Sequence, residues 1–125
     1  MRDVISTENA PGAIGPYSQG IAAEGRLYFF SGQIPLQPTG GLITGDVTAQ
    51  TRQVLTNVQE LLESQGLTFA NVVKTTVFLS SMDLFGEFNK AYADFFPEAP
   101  PARSTVAVVG LPMNVDVEIE VIAVA

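Results

Sequence analysis

The chain has 125 residues, with six Lys and Arg against thirteen Asp and Glu, a net charge of −7, and neither Cys nor His. That balance argues against a nucleic-acid partner, whose affinity comes mainly from Lys and Arg; the missing Cys excludes disulfides and thiol chemistry, and the missing His removes the commonest general base and metal ligand, so no metal site is expected. Only 15% of residues are charged, against about 25% in an ordinary domain, which leaves a small domain short of polar cover and points to an oligomer.

In chain order, Met1-Arg2-Asp3-Val4-Ile5 lacks the apolar run of a signal peptide, and no later stretch reaches membrane-spanning length. A cytoplasmic protein without membrane contact is expected. Ala10 to Pro16 is rich in turn formers and reads as an ordered loop. Ser18 to Ala23 and Leu27 to Ile34 read as strands, with Glu24-Gly25-Arg26 as a hairpin connection between them. After a loop from Pro35 to Gly45, Asp46 to Gln65 is the clearest helix: Val47, Val54, Leu55, Val58, Leu61 and Leu62 lie on one stripe, and Gly66 stops it.

Val72 to Leu79 is β-branched and strand-like. Asp83 is the expected cap of a second helix whose apolar face is Leu84, Phe85, Phe88, Tyr92, Phe95 and Phe96, ended by Pro97, Pro100 and Pro101. Ser104 to Val109 and Val115 to Val124 are the last strands. In the final one, Val115, Val117, Ile119, Val121 and Ala123 share a face that packs under the helices. Its other face carries Asp116, Glu118 and Glu120, then Ile122 and Val124, which suits a subunit interface containing a polar pocket. The order β-β-α-β-α-β-β gives an α+β class, one sheet with both helices on one face, in a single domain spanning residues 1–125.

Three segments carry a resemblance: Gly15-Pro16-Tyr17-Ser18-Gln19-Gly20, Ser31-Gly32-Gln33-Ile34-Pro35, and Pro101-Ala102-Arg103-Ser104-Thr105 followed by Val117-Glu118-Ile119-Glu120. In their order and spacing, from Thr7-Glu8-Asn9-Ala10-Pro11 to the last strand, they resemble the reactive-intermediate imine/enamine deaminase family (RidA, also called YjgF). The resemblance implies a chorismate-mutase-like fold assembled as a homotrimer with clefts between subunits. It implies hydrolysis of 2-imino acids, 2-iminobutanoate and 2-iminopropanoate among them, to 2-oxo acids and ammonia, with no cofactor.

Carried over residue by residue, the resemblance makes Arg103 the anchor of the substrate carboxylate, a task its planar fork suits and Lys does not. The bland alternative is a surface Arg or a structural ion pair. Glu118 falls where the family places its water-handling acid; next to Arg103 it is expected to stay ionised, and its alternative role is to neutralise Arg103. Glu120, two residues on, is the structural or interface charge. Tyr17 reaches the cleft or packs in the core, and Ser31 and Gly32 offer a hydroxyl and a close backbone approach, or a strand-end bulge. Asn89 contacts the cleft or trimer interface, or is an exposed helical Asn. Thr105 stands where many relatives have Cys, its backbone N–H still able to meet the carboxylate. A non-catalytic protein that binds or senses small 2-oxo acids is the competing reading. Ribonuclease activity is the weakest, given the acidic charge and the missing His.

Overall fold

The computed structural model describes residues 2–125. Its elements are β1 (Arg2–Ile5), β2 (Gly20–Ala23), β3 (Leu27–Gln33), α1 (Val47–Glu63), β4 (Val72–Leu79), α2 (Phe85–Ala93), β5 (Ala102–Ala107) and β6 (Val117–Val124). The α+β class and the expected order hold, with β1 added at the front. The strands β3-β6-β4-β5 form a four-stranded sheet in that spatial order, antiparallel except for the parallel β4–β5 pair. Val54, Leu55, Val58 and Leu62 of α1 and Phe88 and Tyr92 of α2 join Val77, Ile119 and Val121 of the sheet in one buried cluster, which puts both helices on the same face.

Local chemistry explains most boundaries. Asp46 caps α1, its carboxylate accepting from Ala49 N–H at 2.8 Å, and the apolar stripe read from the sequence is the buried side except at Leu61, which is half-buried and lines a cavity. The cap of the second helix differs from expectation. Ser81, not Asp83, accepts the backbone N–H of Asp83 and starts a 3-10 turn (Met82–Leu84) that leads into α2. A serine hydroxyl two residues upstream is sterically free to turn back on that N–H, whereas Asp83 already lies inside the turn.

The hairpin reading of Glu24-Gly25-Arg26 is also corrected. β2 pairs with β1, in the register Arg2↔Ala23 to Ile5↔Gly20, while β3 pairs with β6. Arg26 and Ala125 exchange backbone hydrogen bonds at 2.7 and 3.0 Å. Gly25 has φ +139°, and a Cβ there would collide with the Ala125 carbonyl. Its glycine thus serves the approach of the chain's last residue, not a two-strand turn.

On β6 the buried face is as read, with Val117, Ile119, Val121 and Ala123 under the helices. Asp116 does not join the other face. It precedes the strand, and its carboxylate accepts from Gln50 and Ser80. The open face of the sheet carries Glu118, Glu120 and Ile122 beside Phe78 and Thr76 of β4. Leu27 is 57% exposed on this face, Phe29 71% and Val106 45%.

Candidate functional site

Parallel pairing sets Thr75 of β4 beside Arg103 of β5, and Val77 beside Thr105. Residues directly paired across strands share a face, so Arg103 and Thr105 point to the helix side with buried Thr75 and Val77. β5 is the edge strand, and the Arg103 stem runs out beneath α2. There Arg103 Nη1 donates to Asn89 Oδ1 at 2.8 Å. The guanidinium carbon lies 4.9 Å from the ring centre of Tyr92, 5.5 Å from Phe85, 5.6 Å from Tyr17 and 6.0 Å from Phe88. Phe85, Phe88, Asn89 and Tyr92 recur at three- and four-residue spacing, which brings them to one side of α2.

The fourth ring comes from the Gly-Pro-Tyr loop. Ile14 N–H donates to the Tyr17 hydroxyl at 3.2 Å, and Ser18 N–H donates to the Pro101 carbonyl at 3.1 Å, which ties the loop to the approach of β5. Among the described residues no carboxylate lies within 4.0 Å of Arg103; Arg52 and Asp94, both exposed, form an ion pair elsewhere at 3.9 Å. Burial lowers the Arg103 pKa from its ordinary value, and the neighbouring Tyr92 and Tyr17 act in the opposite sense. An arginine nonetheless stays charged. Tyr92, hydrogen-bonded to Thr75 Oγ1 at 2.8 Å, is pushed up to about 12, chiefly by burial, so its hydroxyl stays protonated. One pleat along β5, Thr105 Oγ1 is buried with no hydrogen-bond partner.

The residues expected at the cleft therefore form two groups. Arg103, Asn89, Tyr17 and Thr105 are gathered at the β5 edge. Ser31, Gly32 and Glu118 are gathered elsewhere: the β3–β6 register slips between Phe30 and Gln33, a bulge that contains Ser31 and Gly32. The bulge reading of Gly32 holds, and a Cβ there would sit 2.9 Å from Glu118 Cδ and 3.1 Å from Cγ. The missing side chain is what admits the Glu118 carboxylate.

Within one chain the expected contact between Arg103 and Glu118 is not made. Arg103 pairs with Thr75 on the helix side, whereas Glu118 pairs with Phe78, whose position alternates to the open side. Glu118 is thus not the ion-pair partner of Arg103 in the single chain. Their motifs follow one another along the chain, but strand parity puts the two side chains on opposite faces of the sheet. A cavity of about 550 Å³ opens beside Gly32, between α1 and the loop after β3. Glu60 is its one ionisable lining residue, so it offers no cation to pair with a carboxylate.

Sequence reasoning missed the aromatic walls. Phe85, Phe88 and Tyr92 read as core residues, and Phe88 and Tyr92 are indeed fully buried, yet the same rings face Arg103. A polar Asn89 inserted in an otherwise aromatic stripe was the available signal.

The family described as Endoribonuclease L-PSP matches residues 7–125. A 2-iminobutanoate/2-iminopropanoate deaminase of Salmonella typhimurium is 48% identical over 127 residues, covering 99% of this chain and 98% of its own. AldR of Lactococcus lactis, named as a regulator, is 50% identical over 121 residues, covering 96% and 95%. Among solved structures, Escherichia coli TdcF with bound serine superposes with a TM-score of 0.75 at 42% identity, covering 98% of both chains. A match of this length, joined to a shared fold and to the Gly-Pro-Tyr, Ser-Gly-Gln and Pro-Ala-Arg-Ser segments, makes the chain a member of the Endoribonuclease L-PSP family, the reactive-intermediate deaminase (RidA/YjgF) group.

Proposed function

We propose that this protein hydrolyses small 2-imino acids, such as 2-iminobutanoate and 2-iminopropanoate, to 2-oxo acids and ammonia, in homotrimeric clefts between subunits. The observation that carries the reading is the state of Arg103: a partly desolvated cation, held by Asn89 and four rings, with no carboxylate within 4.0 Å among the described residues. Cation–π contacts return only part of what water gave that charge. A small carboxylate supplies the rest through two parallel hydrogen bonds. The named deaminase relative supports the reaction class, and the relative with bound serine supports a ligand of amino-acid size.

The chemistry asks little beyond position. The carbon of a protonated imine is already electrophilic, so no cofactor is required. Glu118 orients a water and takes its proton as the oxygen attacks that carbon, forming a carbinolamine. The proton passes to nitrogen, the C–N bond breaks, ammonia leaves, and the hydroxyl proton is lost as the C=O bond forms. Because strand parity separates Arg103 from Glu118, a complete site is built from the β5 edge of one copy and the β3 bulge of the next. The apolar open face, with Leu27 and Phe29 well exposed, supports that assembly. Phe29→Glu is accordingly expected to shift the sedimentation coefficient from trimer to monomer, because it places a desolvated charge in each of three equivalent contacts. A variant that stays trimeric would show that this face lies outside the interface.

The direct test is ammonia release from 2-iminobutanoate generated in situ by a pyridoxal-phosphate enzyme, comparing wild type with Arg103→Ala. Wild-type protein that gives no acceleration over buffer overturns the reading. The second reading, a regulatory protein that binds 2-oxo acids without turnover, draws on the relative named as a regulator. It predicts calorimetric binding of 2-oxobutanoate with no turnover of any imine. Ribonuclease activity, the literal sense of the family's description, finds no support in a chain of net charge −7 without histidine.

A further inference from the structure

Arg103 is preceded by Ala99-Pro100-Pro101-Ala102, a stretch with unusual backbone needs. Ala99 has φ +41°, a left-handed conformation that a β-carbon disfavours. Pro100 and Pro101 lack N–H groups, so their carbonyls are the only backbone groups through which they can be held. All three carbonyls from Ala99 to Pro101 are held, and by the N-terminal part of the chain alone. Arg2 Nη2 donates to Ala99 O at 2.7 Å, the Ser18 hydroxyl donates to Pro100 O, and Ser18 N–H donates to Pro101 O at 3.1 Å. Arg2 Nε also donates to Val72 O at 3.1 Å, at the start of β4. One guanidinium therefore joins the entry of β4 to the turn before β5, the two parallel strands whose register sets Thr75 beside Arg103.

From this we infer that Arg2 and Ser18 are positioning residues, a clamp that fixes Arg103 and Tyr17 relative to each other. The inference rests on the reading of Arg103 as the carboxylate anchor. Ser18 follows Tyr17 directly, and its bridge to Ala102 lies one residue before Arg103. A shift of the Pro100-Pro101 turn therefore moves ring and guanidinium apart together. Pairing of β1 with β2 brings Arg2 to this place, so the short two-stranded sheet acts as a strap on the carboxylate half of the site and not as an accessory to the core. Neither residue touches the guanidinium of Arg103; both act through backbone.

The test compares Arg2→Ala, Arg2→Lys and Ser18→Ala in the full chain, each with Arg103 intact and in an Arg103→Ala background, by steady-state ammonia release and thermal melting. With Arg103 present, Arg2→Ala and Ser18→Ala are expected to raise KM about tenfold with kcat little changed, and Arg2→Lys to recover part of the loss. In the Arg103→Ala background the same substitutions are expected to change kcat/KM less than about twofold, because the group they position is gone. Equal losses in both backgrounds, or losses that track a lowered melting temperature, reduce the clamp to a folding role and overturn it. Unchanged KM in the single variants overturns it too while leaving the Arg103 anchor intact. An Arg103→Ala protein with wild-type kcat/KM overturns the anchor itself, and the clamp with it. Should Arg2→Ala fail to fold, Ser18→Ala decides alone, since it removes one hydroxyl and keeps the N–H bond to Pro101.

Discussion

Arg103→Lys is expected to raise the dissociation constant for 2-oxobutanoate roughly 30- to 150-fold, although the formal charge is kept. The guanidinium has several N–H groups in one plane. One is engaged by Asn89 at 2.8 Å, and others remain to face a carboxylate side by side. Lysine offers one tetrahedral ammonium that cannot present two parallel N–H bonds to a carboxylate while also reaching Asn89, and it presents no flat face to the rings of Tyr92, Phe85, Tyr17 and Phe88. The loss is about 2–3 kcal/mol, the upper part of the range for hydrogen bonds to charged groups. Titration calorimetry on wild type, Arg103→Lys and Arg103→Ala measures it. If Lys bound as well as Arg, charge alone would account for recognition and the planar fork would be irrelevant. Asn89→Ala should weaken binding by a smaller factor, since it frees the guanidinium to swing without removing it.

The sequence carried the frame of this fold because its helices and strands have strong periodic patterns. Val47, Val54, Leu55, Val58 and Leu62 of the α1 stripe, and the alternating residues from Val117 to Ala123, are buried as their spacing requires. What it could not carry was strand partnership. Arg2 to Ile5 is short and half polar, and only its pairing with Gly20 to Ala23 makes it a strand. The turn at Gly25 has hairpin chemistry, but the competing partner is an eight-residue strand with a buried face, and β6 wins β3. The candidate site was legible as residue types and motif order, and Asn89, Tyr17 and Arg103 do meet. Within one chain Arg103 and Glu118 are not neighbours, because a motif lists residues along the chain, whereas the face of a strand is decided by register, which depends on β4 as much as on β5 and β6. The walls were illegible for another reason: a ring that packs the core with one edge and faces a cation with the other has the same sequence signature as a ring that only packs.

Glu118→Gln is expected to lower kcat roughly 10²- to 10⁴-fold, the usual worth of a general base, while 2-oxobutanoate binding is nearly retained. Gln keeps the shape but cannot take the proton of the attacking water. Gly32→Ala is expected to produce much of the same loss without touching the acid. An added methyl would lie 2.9 Å from Glu118 Cδ, closer than carbon atoms tolerate, and the group in its way is the end of a flexible side chain. The carboxylate can therefore swing aside at little cost to folding, and the melting temperature should change little while kcat falls. Combined, the two substitutions should be far less than multiplicative, since each removes the same proton acceptor from the same place. A Gly32→Ala protein that loses stability in proportion to activity would mean that the bulge needs glycine for its backbone. One with full activity would mean that Glu118 works from a position other than the one Gly32 admits.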